Sequence, residues 1–214
     1  MDRVSFQDYE KYLEANLADL VERLKTKRYR AKPVRRKYIP KPGSDKRRPL
    51  GIPALEDKRL QVAVANILSA IDGQDFLDCS YGYRKGIGPH DALETLRKEL
   101  QFGEYHWVVE ADIRGFFDNI DQNWLVKMLE ERVDDRALIR LIKKWLRAGI
   151  LEEDGKMIHP AMGTPQGGIV SPVLANIYLH YALDLWFEKK VAVRCLGRYQ
   201  TPGISDHLLG QVEP

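Results

Sequence analysis

The stretch "YIPKPGSDKRRPLGIP", Tyr38 to Pro53, limits what this chain can fold into more than any other. Pro40, Pro42, Gly43 and Pro49 rule out a helix, because proline lacks the amide donor and clashes with the preceding turn. Short apolar and basic runs flank a tip, "KPGSDK", rich in turn formers. That pattern predicts a β-hairpin.

The hairpin lies inside a strongly basic region. From Arg23 to Arg48 there are 13 lysines and arginines and a single acid, Asp45, a net of +12. The rest of the 214-residue chain carries −9, so the overall +3 hides a sharp asymmetry. A solvated helix face accounts for a few such charges. It does not account for 13 bases interleaved with Tyr29, Tyr38 and prolines, and nucleic-acid phosphate is the better match. No apolar run approaches membrane-spanning length, and "MDRVSFQDYE" has the character of neither a signal nor a transit peptide. Cys79 and Cys195 are far apart and make no metal-type pair. Two structural thiols in a reducing, cytoplasmic setting are expected.

Residues 6–28 read as one amphipathic helix, with Leu13, Leu17, Leu20, Val21 and Leu24 on a face and a capping box at Ser5 and Asp8. A helix is expected at 56–71, a loop through "SYGYRKGIGPHDA", and a short helix over "HDALETLRKEL". The run around "HWVV" predicts a strand over 105–112. Helices follow near 121–132 and 135–147, and a second hairpin at 149–160 turns at Asp154-Gly155. A glycine-rich loop, "GTPQGGIVSP", precedes a last helix from Ser171-Pro172 to about Lys190. The tail after 199 has no periodicity.

Taken singly, the candidate sites are ambiguous. Asp112, at the end of the expected strand, suits a hard cation with oxygen ligands, and equally suits a turn or a helix cap. The glycines of "GTPQGGIVSP" permit close backbone approach to a ligand, and equally make an ordinary loop. Bases at the hairpin tip suit a triphosphate, lysine as a point charge and arginine as a bidentate fork. They also suit a charged hairpin that resists edge-to-edge pairing.

Taken in order, "RRPLGIPALEDKRLQ", "SYGYRKGIGPHDA", "VEADIRGFFDNID" and "GTPQGGIVSPVLANIYLH" resemble the successive blocks of bacterial group II intron-encoded reverse transcriptase–maturases. The resemblance runs from about residue 2 to about residue 199. It implies an α+β, right-hand polymerase fold, truncated, with fingers and a basic RNA-binding region at 1–104, a partial palm at 105–199 and a divergent tail at 200–214. It also implies roles. Asp112 matches the first metal-binding, catalytic aspartate, and Ile113 the position whose carbonyl also meets the Mg2+. Phe117 matches the gate that screens the sugar of the incoming nucleotide, and Gln166 the glutamine of the same pocket. Lys41 and Arg48 match fingers residues that grip the triphosphate, and Arg35 and Arg36 a basic run that tracks RNA. Asp118 and Asp121 are expected to be a turn residue and a helix cap.

In the family, a hairpin ending in Tyr-Ala-Asp-Asp follows the last helix and completes the metal site. Here "GRYQTPGISDH" stands in that place, and the match stops after Tyr199. Asp134-Asp135 fall out of order and are expected at a helix start, and Asp184 on a helix. The chain is therefore expected to be an N-terminal fragment, inactive alone as an RNA-directed DNA polymerase. In the intact family the partners are RNA, a DNA primer and dNTP. The alternative readings are a non-catalytic module that binds intron RNA and assists splicing, or a decayed remnant. Loss of that hairpin is expected to expose an edge strand and apolar helix faces, so that solubility and stability suffer or a dimer covers the surface. A complementing chain bearing Tyr-Ala-Asp-Asp would restore the metal site.

Overall fold

The computed structural model describes residues 5–40, 43, 45, 47–103, 107–164 and 167–193. These fall into two compact units, both discontinuous in sequence. One is drawn from residues up to Ala65 together with Phe117–Ser171, the other from Asn66–Phe116 together with residues from Pro172 onward.

The first unit opens with α1 (Phe6–Glu10) and α2 (Leu13–Lys25). The single helix expected over 6–28 is thus two. Ser5 does cap the first, accepting from the Asp8 amide at 3.1 Å. The break follows from Asn16, whose side-chain amide donates to the Tyr9 carbonyl at 3.0 Å and replaces a helical partner. Tyr9 then turns inward to 6% exposure, beneath the Arg59 guanidinium 5.1 Å from its ring. Leu17 and Val21, placed on the expected apolar face, stay exposed.

Next come β1 (Val34–Pro40) and β2 (Arg47–Ile52), antiparallel, with Arg36 opposite Gly51 and Pro40 opposite Arg47. This is the expected hairpin. Later in the unit lie α6 (Gln122–Glu130), α7 (Arg136–Leu146), β3 (Ile150–Leu151) and β4 (Met157–Ile158). Between these two sets the chain passes through α3 (Leu55–Asp72), α4 (Pro89–Phe102) and α5 (Phe116–Asn119). Sequence had indicated two separate hairpins. The structure joins them into one sheet of order β2-β1-β3-β4, because β3 pairs parallel with β1, Val34 opposite Ile150. That order leaves β2 at an edge, where Pro49 costs no ladder bond.

Asp121 and Asp135 cap α6 and α7, each accepting from two backbone amides of the first turn. Every third or fourth residue of α7 is apolar, and Ile139, Ile142, Trp145 and Leu146 are buried with Leu125 and Leu129 of α6. Burying each of the larger side chains stabilises the unit by roughly 1.5–3 kcal/mol.

A polar network fixes how these parts meet. Asp57, 2% exposed, accepts from the Tyr29 hydroxyl at Oδ1 and from the Lys32 amide at Oδ2, 3.0 Å away. The Trp145 indole donates to the same Tyr29 oxygen at 2.8 Å, and the Lys144 ammonium to the Tyr29 carbonyl at 2.6 Å. Arg23 forks onto the Glu56 carboxylate beside it.

The second unit contains the end of α3, α4 and α8 (Ser171–Leu179), the last continuing in wider, π-type turns at His180–Asp184 and Phe187–Ala192. Leu68, Leu174 and Ile177 form its core, and the Phe76 ring meets His180 edge-on with centroids 5.7 Å apart. The Asn176 amide donates to the Gly82 carbonyl, tying α8 to the 73–88 loop. Cys79 is half-buried and free, and burial pushes its thiol up, away from reactive thiolate.

The expected strand over 105–112 is not there. Residues 107–113 have no regular structure, and Trp107, Val108 and Val109 are 74%, 52% and 56% exposed. Residues 104–106 lie outside the described set. β-propensity needs a ladder to act on, since unpaired amides and carbonyls gain nothing from an extended conformation. Among the described residues no strand lies beside this run. The edge strand expected of the palm is not seen at these residues; what is exposed there is apolar coil.

The network makes a stability prediction. Tyr29→Phe leaves Oδ1 of Asp57 buried without a donor and is expected to cost about 1–3 kcal/mol in urea unfolding. Burial holds the Asp57 carboxyl above the ordinary carboxylate range. The folded state therefore keeps this proton after the unfolded state has lost it, and stability falls as pH rises through that interval. Asp57→Asn is expected to flatten this fall as pH rises above the ordinary carboxylate range; an unchanged pH slope counts against it.

Candidate functional site

The register of the β1–β2 hairpin sorts its charges. Side chains alternate between faces, so Arg35 and Lys37 share a face with Arg48 across the ladder, Arg48 opposite Ile39 and Arg35 opposite Ile52. All three are exposed. Arg36 points the other way and is half-buried, its Nε 3.6 Å from Glu152 Oε1. The Tyr38 hydroxyl donates to the other Glu152 oxygen at 3.1 Å. Of the two arginines expected to track RNA, one is thus presented outward and the other is drawn into the sheet's own support.

The glycine-rich loop is seated by close contact with the chain itself. Gly163 has φ +85°, and a Cβ there would lie 2.8 Å from the carbonyl oxygens of both Phe117 and Asp118. Thr164 donates its amide to the Phe117 carbonyl at 2.8 Å. Gly167 has φ +103°, and a Cβ would sit 2.6 Å from the Gly51 carbonyl of β2. Two buried or half-buried glutamines complete the seat. Gln122 donates to the Gly163 carbonyl at 2.9 Å, and Gln61 accepts from the Ile169 amide at 2.9 Å. The residues read from sequence as an approach path for a ligand are therefore also required by backbone-to-backbone packing. Gln61 and Gln122 went unread in sequence, since a polar residue on a helix carries no local sign of being buried.

One unit accordingly brings together three segments with expected roles: the strand of Arg48, the turn of half-buried Phe117, and the described flanks of the glycine-rich loop, Gly163, Thr164 and Gly167. Lys41 and Gln166 lie outside the described residues. Asp112 and Ile113 belong to the other unit, both exposed and without regular structure. Asp118 sits within the four-residue α5, and Asp121 caps α6 as expected. Asp135 is a cap and Asp184 is helical, as expected. Among the described residues no three of His, Cys, Asp or Glu gather to hold a metal ion. Among the described residues, the two donors expected from the resemblance, exposed Asp112 and the Ile113 carbonyl, do not fit a two-ion centre, since they leave most of the coordination of two hard cations unsupplied.

A family model described as reverse transcriptase (RNA-dependent DNA polymerase) matches residues 39–199, and the chain belongs to that family. The match ends at Tyr199, where the resemblance of the blocks also stops. Within the family, the chain is 45% identical over 169 residues to the group II intron-encoded protein LtrA of Lactococcus lactis subsp. cremoris, covering 79% of this chain and 28% of that one. It is 37% identical over 171 residues to protein YkfC of Escherichia coli (strain K12), covering 78% and 44%. Its fold is similar to a chain of a partial Cas6-RT-Cas1–Cas2 complex, with a TM-score of 0.52, 29% identity, and coverage of 88% and 31%. The chain thus spans less than half the length of these relatives. No helix among the described residues is long and apolar enough to cross a membrane.

The seating of the loop is open to test. Gly163→Ala and Gly167→Ala each combine left-handed strain with a clash against backbone, and each is expected to cost roughly 1–3 kcal/mol. Urea unfolding and faster amide exchange over 163–170 are the readouts. Unchanged stability would show that the loop is not held this way.

Proposed function

We propose that this chain is the nucleotide- and RNA-handling portion of a group II intron-type reverse transcriptase–maturase, with fingers at 1–104, a partial palm at 105–199 and a divergent tail at 200–214. The observation that carries this reading is the convergence, in one unit, of the Arg48 strand, the Phe117 turn and the glycine-rich loop. Arg48 and Lys41 grip the triphosphate of an incoming dNTP, Phe117 screens its sugar, and Gln166 lines the same pocket. Arg35 and Arg36 serve template or intron RNA, Arg35 by direct contact with phosphate and Arg36 by holding its strand to Glu152.

The reverse transcriptase family is in general magnesium-dependent. Asp112 and the Ile113 carbonyl are the ligands this chain offers, and they are too few to hold two ions in position. The sequence contains no Tyr-Ala-Asp-Asp. Chemistry therefore awaits carboxylates from elsewhere, while RNA binding does not. A non-catalytic role on intron RNA is favoured by the same +12 region, which needs no metal centre to act.

Two measurements test the reading. Photocrosslinking with azido-dATP in magnesium buffer, followed by peptide mapping, is expected to label 47–52 or 163–170, with yield several-fold lower in Arg48→Ala. Labelling confined to other segments would overturn the pocket assignment. Primer extension on an RNA template is expected to give no cDNA from this chain alone, and robust synthesis would show that a complete metal site exists.

A further inference from the structure

The first unit carries a second concentration of positive charge that the hairpin does not explain. A groove of about 610 Å³ opens between residues 27–31 and α7. Six cations line it: Lys27, Arg30, Arg140, Lys143, Lys144 and Arg147. No carboxylate does. We propose that this groove is a distinct binding site for the phosphate backbone of RNA, contacted separately from the hairpin face. The proposal rests on the reading of the chain as an RNA-handling protein.

The groove is built, not incidental. Its two walls are fixed to each other by the Lys144 ammonium, which donates to the Tyr29 carbonyl and lies 5.6 Å from the centre of the Tyr29 ring. Trp145 holds the same tyrosine from beneath. The turn that delivers Lys27 and Arg30 is held by the Lys27 amide on the Leu24 carbonyl at 3.1 Å and the Tyr29 amide on the Arg23 carbonyl at 2.9 Å. Lys27 itself has φ +61°, a conformation that costs a non-glycine residue free energy.

Helix stability alone does not call for this arrangement. A macrodipole favours cations in the last turn of α7, which accounts for Lys143, Lys144 and Arg147. It does not account for Lys27 and Arg30 on the opposing wall, nor for Arg140. Arg140 to Lys144 and Lys143 to Arg147 are like-charge pairs at i,i+4, mildly unfavourable in isolation. Lys143 has one counter-charge, Glu130 at 3.4 Å, in an exposed pair of little strength. Six cations within about a Debye length repel one another, and a polyanion relieves that repulsion. Arg140 to Arg147 spans about 10 Å of helix axis, long enough to meet more than one phosphate. That reach favours a nucleic-acid backbone over a single small anion.

The test is fluorescence anisotropy of the full chain with a labelled, structured RNA hairpin across a range of KCl concentrations. The charge reversal R140E/K143E/R147E avoids Lys144, which holds the fold. It is expected to weaken binding at least tenfold and to lower the salt slope by about 2, as loss of two or three phosphate contacts requires. R140K/K143R/R147K, which keeps the charge, is expected to stay within twofold of the parent. Amide exchange on the unmutated chain is expected to show RNA protection over 27–31 and 136–148. This does not depend on whether the reversal variant folds, and absence of protection there overturns the groove. Unchanged affinity and slope in the reversal variant, alongside weakened binding in Arg35→Glu, overturns the groove and leaves the wider reading standing. No RNA binding by the parent chain overturns both. Competition by poly-glutamate as effective as by RNA means that the groove takes acidic peptide, and overturns the assignment to RNA.

Discussion

A buried carboxylate organises the first unit. Taking Asp57 out of water is costly unless each oxygen finds a donor, and here both do: Tyr29 on one, the Lys32 amide on the other. The donors come from the segment that leads into β1. The acceptor stands in the first turns of α3. Trp145 of α7 completes the network through Tyr29. Three elements distant in sequence are thus held by one buried carboxyl group whose oxygens cannot be left unsatisfied. The entry angle of β1 and the placement of α7 both follow. So do the hairpin face carrying Arg35 and Arg48 and the groove walled by α7.

The same fact explains what sequence could and could not disclose. Hairpin, caps and most helices are written in short-range chemistry: prolines at Pro40 and Pro49, acids at Asp121 and Asp135, apolar spacing in α7. The parallel pairing of β1 with β3 is not, because each two-residue strand of the second hairpin carries almost no pattern of its own. Nor does Asp57 differ locally from its neighbour Glu56. One is buried and the other faces Arg23 at the margin, a distinction made by Tyr29 and Trp145, 28 residues before and 88 after. The run at 107–112 fails for the converse reason. Its residues favour a strand, but a strand is a property of two segments, and propensity in one says nothing of the other.

The candidate site was legible in part for related reasons. Block order identified the family, and the roles expected of Asp112, Phe117 and Gln166 rest on that resemblance. What the blocks did not reveal is that some of their residues serve the fold first. Gly163 and Gly167 are needed because Phe117, Asp118 and Gly51 stand too close for a side chain. Arg36, in a basic run, is turned toward Glu152 by strand alternation, while Arg35 beside it is not. A motif records that a residue type is needed. Only the register and the contacts say whether ligand or backbone needs it.

Charge and catalysis fail in different ways, and this bears on what a chain of this composition retains. A two-ion centre depends on several carboxylates held within a fraction of an ångström, so it is sensitive to the loss of any one pair. Attraction to phosphate depends on summed charge over many ångströms, and each cation contributes nearly independently to the counterions released. The acids missing from the place of Tyr-Ala-Asp-Asp subtract nothing from that attraction. Their absence removes negative charge that would otherwise oppose it. Both positive surfaces, the hairpin face and the α7 groove, belong to the unit organised by Asp57, whereas Asp112 belongs to the other. The first unit therefore carries the cations, and the RNA binding proposed for them is physically separable from the chemistry that the family performs.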